Sequence, residues 1–186
     1  MESEYEESGS DSYWASVIFG ALVIGLIMSI MGLLSQYITI SNEPTGASFG
    51  IGQAIGTLAC LVGAIGGILS TRHYANNVDD TFTIGKGALI GFLTGVVGVL
   101  LSTIVTFIWL YIVDTGLTQT FYEWQIANVE AQNLPDAQME MAISFIPDPN
   151  STSAIMMQVG IGLVVVGILN AISGMIGTKI FAKDED

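Results

Sequence analysis

Four long windows of this 186-residue chain contain no Asp, Glu, Lys or Arg: residues 12–42, 44–71, 87–113 and 149–178, of 31, 28, 27 and 30 residues. No other feature limits the fold so strongly. A helix rising about 1.5 Å per residue needs roughly 20 residues to cross about 30 Å of hydrocarbon. In lipid every backbone polar group needs an internal partner, which a helix supplies. The windows therefore predict an all-α fold, a bundle of four transmembrane helices over about 14–37, 48–71, 87–112 and 153–178. Composition agrees. Hydrophobic residues make up 51% of the chain and charged residues 11%, against roughly 25% charged in ordinary globular domains.

The first window does not read as a cleavable signal. The segment before it, MESEYEESGSDSYW, is acidic where a signal peptide carries positive charge. Residues 1–13 are expected to form an acidic, disordered cytoplasmic tail. Orientation follows from the few basic residues. Arg72 and Lys86 bracket the predicted loop 72–86, and Lys179 and Lys183 lie in the charged tail 179–186, while segments 38–47 and 114–150 hold no Lys or Arg. The positive-inside rule makes the basic side cytoplasmic, so both termini are predicted inside, with the protein multi-pass in an inner membrane. Tyr13 and Trp14 at one end, and Tyr37, Trp109 and Tyr111 at the other, suit the interfaces.

Two segments of the chain read alike. GAIGGILSTR, Gly63 to Arg72, is echoed by NAISGMIGTK, Asn170 to Lys179, 107 positions later. Gly20-Ala21-Leu22 is likewise echoed by Gly87-Ala88-Leu89 at an offset of 67. The difference of 40 falls where segment 114–150 lies. Two hairpins of the same orientation, 14–71 and 87–178, the second with an extracytoplasmic insertion at 114–150, explain these matches as parallel repeats. Chance similarity within a Gly-, Ala- and Ile-rich alphabet explains them as well.

Small residues recur at helical spacing. Gly52, Gly56, Cys60 and Ala64 form one row on the second span, Ala59, Gly63 and Gly67 another, and Gly87, Gly91 and Gly95 a row on the third. Lipid gives helices no hydrophobic reason to associate, so close backbone approach across small residues becomes the expected packing device. Asn170 is expected to add an interhelical hydrogen bond in mid-span. Gln53, Thr57, Thr94, Ser102, Thr103 and Thr106 are expected to bond to backbone or to neighbouring helices.

The chain offers little for chemistry. No ionisable residue lies deep in a span, whereas ion-coupled transport generally uses one. His73 is the single histidine and Cys60 the single cysteine, so neither a metal cluster nor a haem ligand pair is expected, and no cofactor is implied. There is no phosphate loop and no nucleophile elbow. A net charge of -13 with only four basic residues excludes nucleic acid as a partner.

Segment 114–150 predicts two amphipathic helices on the outer surface, the second restarting after Pro135 and ending before a Ser or Thr cap of the fourth span. Phe121, Trp124, Glu123, Glu130 and Glu140 are candidates for docking a partner; a merely solvated polar face fits the same residues. Asn150-Ser151-Thr152 matches a glycosylation acceptor.

The stretch YIVD, Tyr111 to Asp114, ends the third span, and QMEMAISF, Gln138 to Phe145, follows within an acid- and Gln-rich segment before the fourth. In these features the chain resembles a family of small bacterial four-span membrane proteins of unknown function, common in Bacteroidota-like bacteria. A proline often follows the aspartate in that family; Thr115 stands here. The resemblance implies a four-span bundle and lends no activity. The expected function is that of a non-enzymatic membrane protein, an accessory or scaffold subunit meeting lipid and either another membrane protein or a second copy. A small-solute transporter or channel built from the Gly/Ser/Thr-rich bundle is the alternative.

Overall fold

The computed structural model describes residues 12–149 and 151–183. Residues 1–11 of the expected acidic tail, Asn150 of the glycosylation triplet and the last three residues lie outside the described residues, whereas Ser12 and Tyr13, expected to close that tail, already belong to the first helix. Those described form helices and connecting turns, with no strand. In chain order the elements are α1 (Ser12–Ile40), α2 (Ile51–Gly63), α3 (Gly66–Asn77), α4 (Ile84–Ile108) continued by a π-helical turn (Trp109–Val113), α5 (Leu117–Glu130), α6 (Asp136–Ser144) and α7 (Thr152–Phe181). Four stretches are long and apolar enough to cross a membrane: Tyr13–Ile40, Ile51–Asn77, Ile84–Val113 and Thr152–Phe181. The second consists of α2 and α3 joined through a two-residue interruption.

Two predicted boundaries need correction. The loop between the second and third spans covers 78–83 rather than 72–86, because α3 runs on through Asn77 and Thr83 starts α4 by accepting from the Lys86 N–H. The final helix likewise continues past Lys179 to Phe181. A charged residue marks where the chain leaves hydrocarbon, but backbone pairing continues into the interface until a cap or breaker stops it. At the other end of α7, Ser151 provides the cap, its Oγ accepting from the Ala154 N–H.

The spans form a ring in which α1 packs on α2 and α3, α3 on α7, α7 on α4, and α4 on α1, with α3 also touching α4 across the middle. The matched segments thus lie side by side: Gly67 backs onto Asn170, Ser173 and Gly174, and Gly177 onto Thr71. The arrangement is that of two hairpins of the same orientation. Backbone meets backbone along the helix seams, while Val17, Ile24, Tyr74 and Ile90 fill space between them. A methyl group on Gly95 would sit 2.6 Å from the Val166 carbonyl oxygen, and one on Gly25 would sit 2.9 Å from that of Gly98. Large apolar side chains such as Leu22, Leu26, Ile30, Ile104, Ile161 and Val164 point outward instead. So many exposed large apolar side chains suit a bundle whose outside is lipid.

Candidate functional site

Asn170, fully buried at mid-span on α7, makes three side-chain hydrogen bonds within the bundle. Its Oδ1 accepts from the Gly67 N–H at 2.7 Å, and its Nδ2 donates to the Gly63 carbonyl at 2.9 Å and to its own helix at Val166. An unbroken α-helix would join Gly67 N–H to Gly63 C=O directly. The amide of Asn170 is inserted between them. Only this orientation of the amide works, since a peptide N–H needs an acceptor and a carbonyl a donor. Locally the chain is tightened: Ala64 and Ile65 have ψ of -14° and -12°, and Ile65 N–H bonds three residues back to Val62, as in 3₁₀ geometry. A break at membrane depth is tolerated where its freed groups find partners, and Asn170 pairs two of them, the Gly63 carbonyl and the Gly67 N–H. Gly66 and Gly67 leave room for the amide: a methyl on Gly66 would lie 2.7 Å from its Oδ1.

Around this point the small-residue rows divide. Gly87 and Gly91 lie against Gly174, Thr178 and Asn170, and Gly95 against Val166 and Gly167. On the second span Ala59, Gly63 and Gly67 are buried, and Gly52 abuts Thr39 and Ser35 of α1. The other expected row does not hold together. Gly56 only approaches Ser35, Ala64 is half-buried and Cys60 is exposed. Residues four apart advance about 40° round a helix, so a four-residue row turns off its partner within a few steps. Ser70 and Thr94 share a buried hydrogen bond of 2.7 Å, and Thr57 and Thr94 each bond back to a carbonyl of their own helix. Among the described residues every buried side-chain nitrogen and oxygen has a partner.

At the acidic end α5 closes over the short loop of the first hairpin. Asn128 Oδ1 accepts from both Thr45 and Gly46 N–H, its Nδ2 donates to Ala47, and Trp124 Nε1 donates to the Asn42 carbonyl at 2.7 Å. Gly46 takes a φ of +76° and lies against the Ala131 carbonyl, a position suited to glycine. Asp114 joins the two hairpins. One carboxylate oxygen accepts from Tyr37 Oη at 2.6 Å, the other from the Gly116 and Leu117 N–H groups that open α5. Trp109 Nε1 donates to the same tyrosine oxygen. An open cleft of about 150 Å³ lies beside this cap, walled by Thr39, Glu43, Phe49, Gln53, Trp124 and Asn128.

Of the residues expected to dock a partner, Trp124 is instead committed to the loop, Phe121 is half-buried, and Glu123 accepts from Gln119. Glu130 and Glu140 are exposed on α5 and α6. Asn128 is not among the sequence candidates, yet it occupies the fourth place in the row Leu117, Phe121, Trp124, Asn128. An amide in an otherwise apolar helical row was the available signal.

The basic end is bonded differently. His73 Nδ1 shares a 2.9 Å hydrogen bond with the buried Ser16 hydroxyl, and its ring stacks on Phe19, so this histidine is an interhelical contact. Lys86 lies over the Tyr74 ring and near Asp79. Lys183 pairs with Asp80 by both side chain and backbone. The hydrogen bond from Lys183 holds the Asp80 carboxyl below the usual carboxylate range, and reciprocally Asp80 raises Lys183. Among the described residues no three His, Cys, Asp or Glu side chains converge as metal ligands.

A ring of four membrane-length helices with a small-residue interior and lipid-facing apolar side chains defines a multi-pass helical membrane protein. More particularly, the chain belongs to the family described as a protein of unknown function (DUF4199), whose model matches residues 18–179. Neither a curated protein nor a solved structure matches it.

Proposed function

We propose that this protein is a non-enzymatic accessory or scaffold subunit of a larger membrane complex. The observation that carries the reading is the closed interior, where backbone meets backbone along the α4–α7 and α3–α7 seams and the buried polar side chains are spent on their own bundle. Such an interior leaves little for a solute, and makes the outer surfaces the parts available for work. The exposed carboxylates Glu130 and Glu140 offer a basic partner its contacts, while the apolar flanks meet lipid, another membrane protein or a second copy. Four basic residues gathered at one end support an inner-membrane orientation with that end, and both termini, in the cytoplasm.

Extraction of the native membrane in mild detergent, native electrophoresis and mass spectrometry test the proposal. The expected result is a stoichiometric partner comigrating with this chain. A particle holding only this chain counts against it. A second reading, a small-solute transporter or channel, draws on the interruption of the second span, since discontinuous helices commonly build solute sites at the midplane. Saturable flux into liposomes containing the pure protein alone would establish that reading and displace the first.

A further inference from the structure

The two halves of the second span are held very differently. The inner segment α3 packs on three neighbours, α1, α4 and α7, and buries Gly66, Gly67, Ser70, Thr71 and Tyr74. The segment α2 leans chiefly on α1 and barely reaches α7; it buries only Gly52, Ala59 and Gly63. The change of partners coincides with the break at Ala64 and Ile65. Moreover, the contact of α2 with α1 is made of small residues and, at Gly63, the flexible thioether of Met28, a surface over which a helix can re-seat. At its far end the first turn of α2 walls the acidic-end cleft.

We propose that the second span is a hinged helix whose setting Asn170 holds. With the amide inserted, as here, Gly63 C=O and Gly67 N–H are kept apart and α2 leans on α1. With the amide withdrawn, the same two groups pair with each other, the turn at Ala64–Gly66 rewinds to α geometry, and α2 re-aims relative to α3. Withdrawal costs the Asn170 oxygen its donor, so the inserted arrangement is the resting one. The consequence is a mechanical link between a buried amide on α7 and the cleft at the acidic end, about 16 Å away along α2 at 1.5 Å per residue. The hinge acts on the shape of that cleft whichever of the two functions above holds.

Distance measurements between spin labels test this. In a Cys60→Ser background, labels at Ile51→Cys on α2 and Met156→Cys on α7 occupy exposed positions on the facing spans. Asn170→Leu keeps approximate volume and removes the amide. Gly66→Ala reaches the same end by another route, since its added methyl would lie 2.7 Å from the amide oxygen, which it crowds along with Ile24 Cδ1 and Cγ2. A re-aiming of roughly 15° over a helix about 20 Å long moves the far label by about 5 Å. The expected result is a shift of that size in both variants, or in whichever folds. Unchanged distances in a folded variant overturn the hinge and leave Asn170 a fixed staple. Failure of both variants to fold overturns it as well, because a setting that cannot be released is not a hinge.

Discussion

Asn128 shows how much a single amide can hold at the edge of the bundle. Its three bonds to Thr45, Gly46 and Ala47 fix a loop that otherwise has little to pack on. Asn128→Ala is expected to lower stability by about 1–3 kcal/mol, since it leaves partly buried backbone groups unpaired. Asn128→Asp retains both accepted bonds and should lose less. Thermal unfolding in detergent, with amide exchange at Thr45 and Gly46, measures both. Glycines divide just as sharply. Gly95→Ala drives a methyl against the backbone of Val166 and Gly167, neither of which can yield, whereas nothing lies within 4 Å of a methyl on Gly160. Gly95→Ala should cost about 1–3 kcal/mol, by analogy with overpacked cores, and Gly160→Ala should be neutral or slightly stabilising. Equal unfolding temperatures for the two variants would contradict this account of the seam. The glycine pattern was legible in sequence; which glycines matter was not, because spacing alone does not say where a neighbouring backbone lies.

Among the elements, the π-helical turn at Trp109–Val113 and the aspartate after it decide how the third span gives way to the cap. The stretch YIVD stood out in sequence, but its role becomes visible only once Asp114 is seen to bond Tyr37 on α1 and cap α5. Asp114→Ala should destabilise the junction by about 0.5–2 kcal/mol through the lost cap and raise amide exchange in the first turn of α5. Tyr37→Phe should produce a smaller effect without touching the cap. At the opposite end, the Lys183–Asp80 pair ties the end of α7 to the loop between α3 and α4. Asp80 is lowered by the pair, so its contribution is present above the ordinary aspartate range, about 4, and is lost as pH falls through its folded value. Lys183 is raised, so its contribution is present below the ordinary lysine value, about 10.4, and is lost as pH rises through its folded value. Amide exchange at Lys183, whose N–H bonds the Asp80 carbonyl, should therefore show protection that is flat from about pH 5 to 9 after correction for intrinsic rates. High salt or Lys183→Gln should weaken it.

For the molecule as a whole, orientation is the property most open to a direct test. In a Cys60→Ser background, single cysteines at Ser48 and Gln132 should react with a membrane-impermeant maleimide applied from outside, whereas cysteines at Asn76 and Lys183 should react only after permeabilisation. The reverse pattern would invert the topology. The sequence by itself determined the class: four charge-free windows of 27–31 residues are far longer than barrel strands, and a helix pairs every backbone group within its own segment. It also determined the sidedness of charge and the presence of two short helices between the third and fourth spans, which follow from local composition and the break at Pro135. Only the tertiary structure decided that Asn170 enters the backbone ladder of the second span, that Cys60 faces outward, and that Trp124 and Asn128 clamp a loop some 80 residues away. Local pattern tells a residue which face of its helix it occupies. Its partner depends on how helices pack, and in a bundle of small residues that is set by backbone fit among distant segments rather than by any local preference.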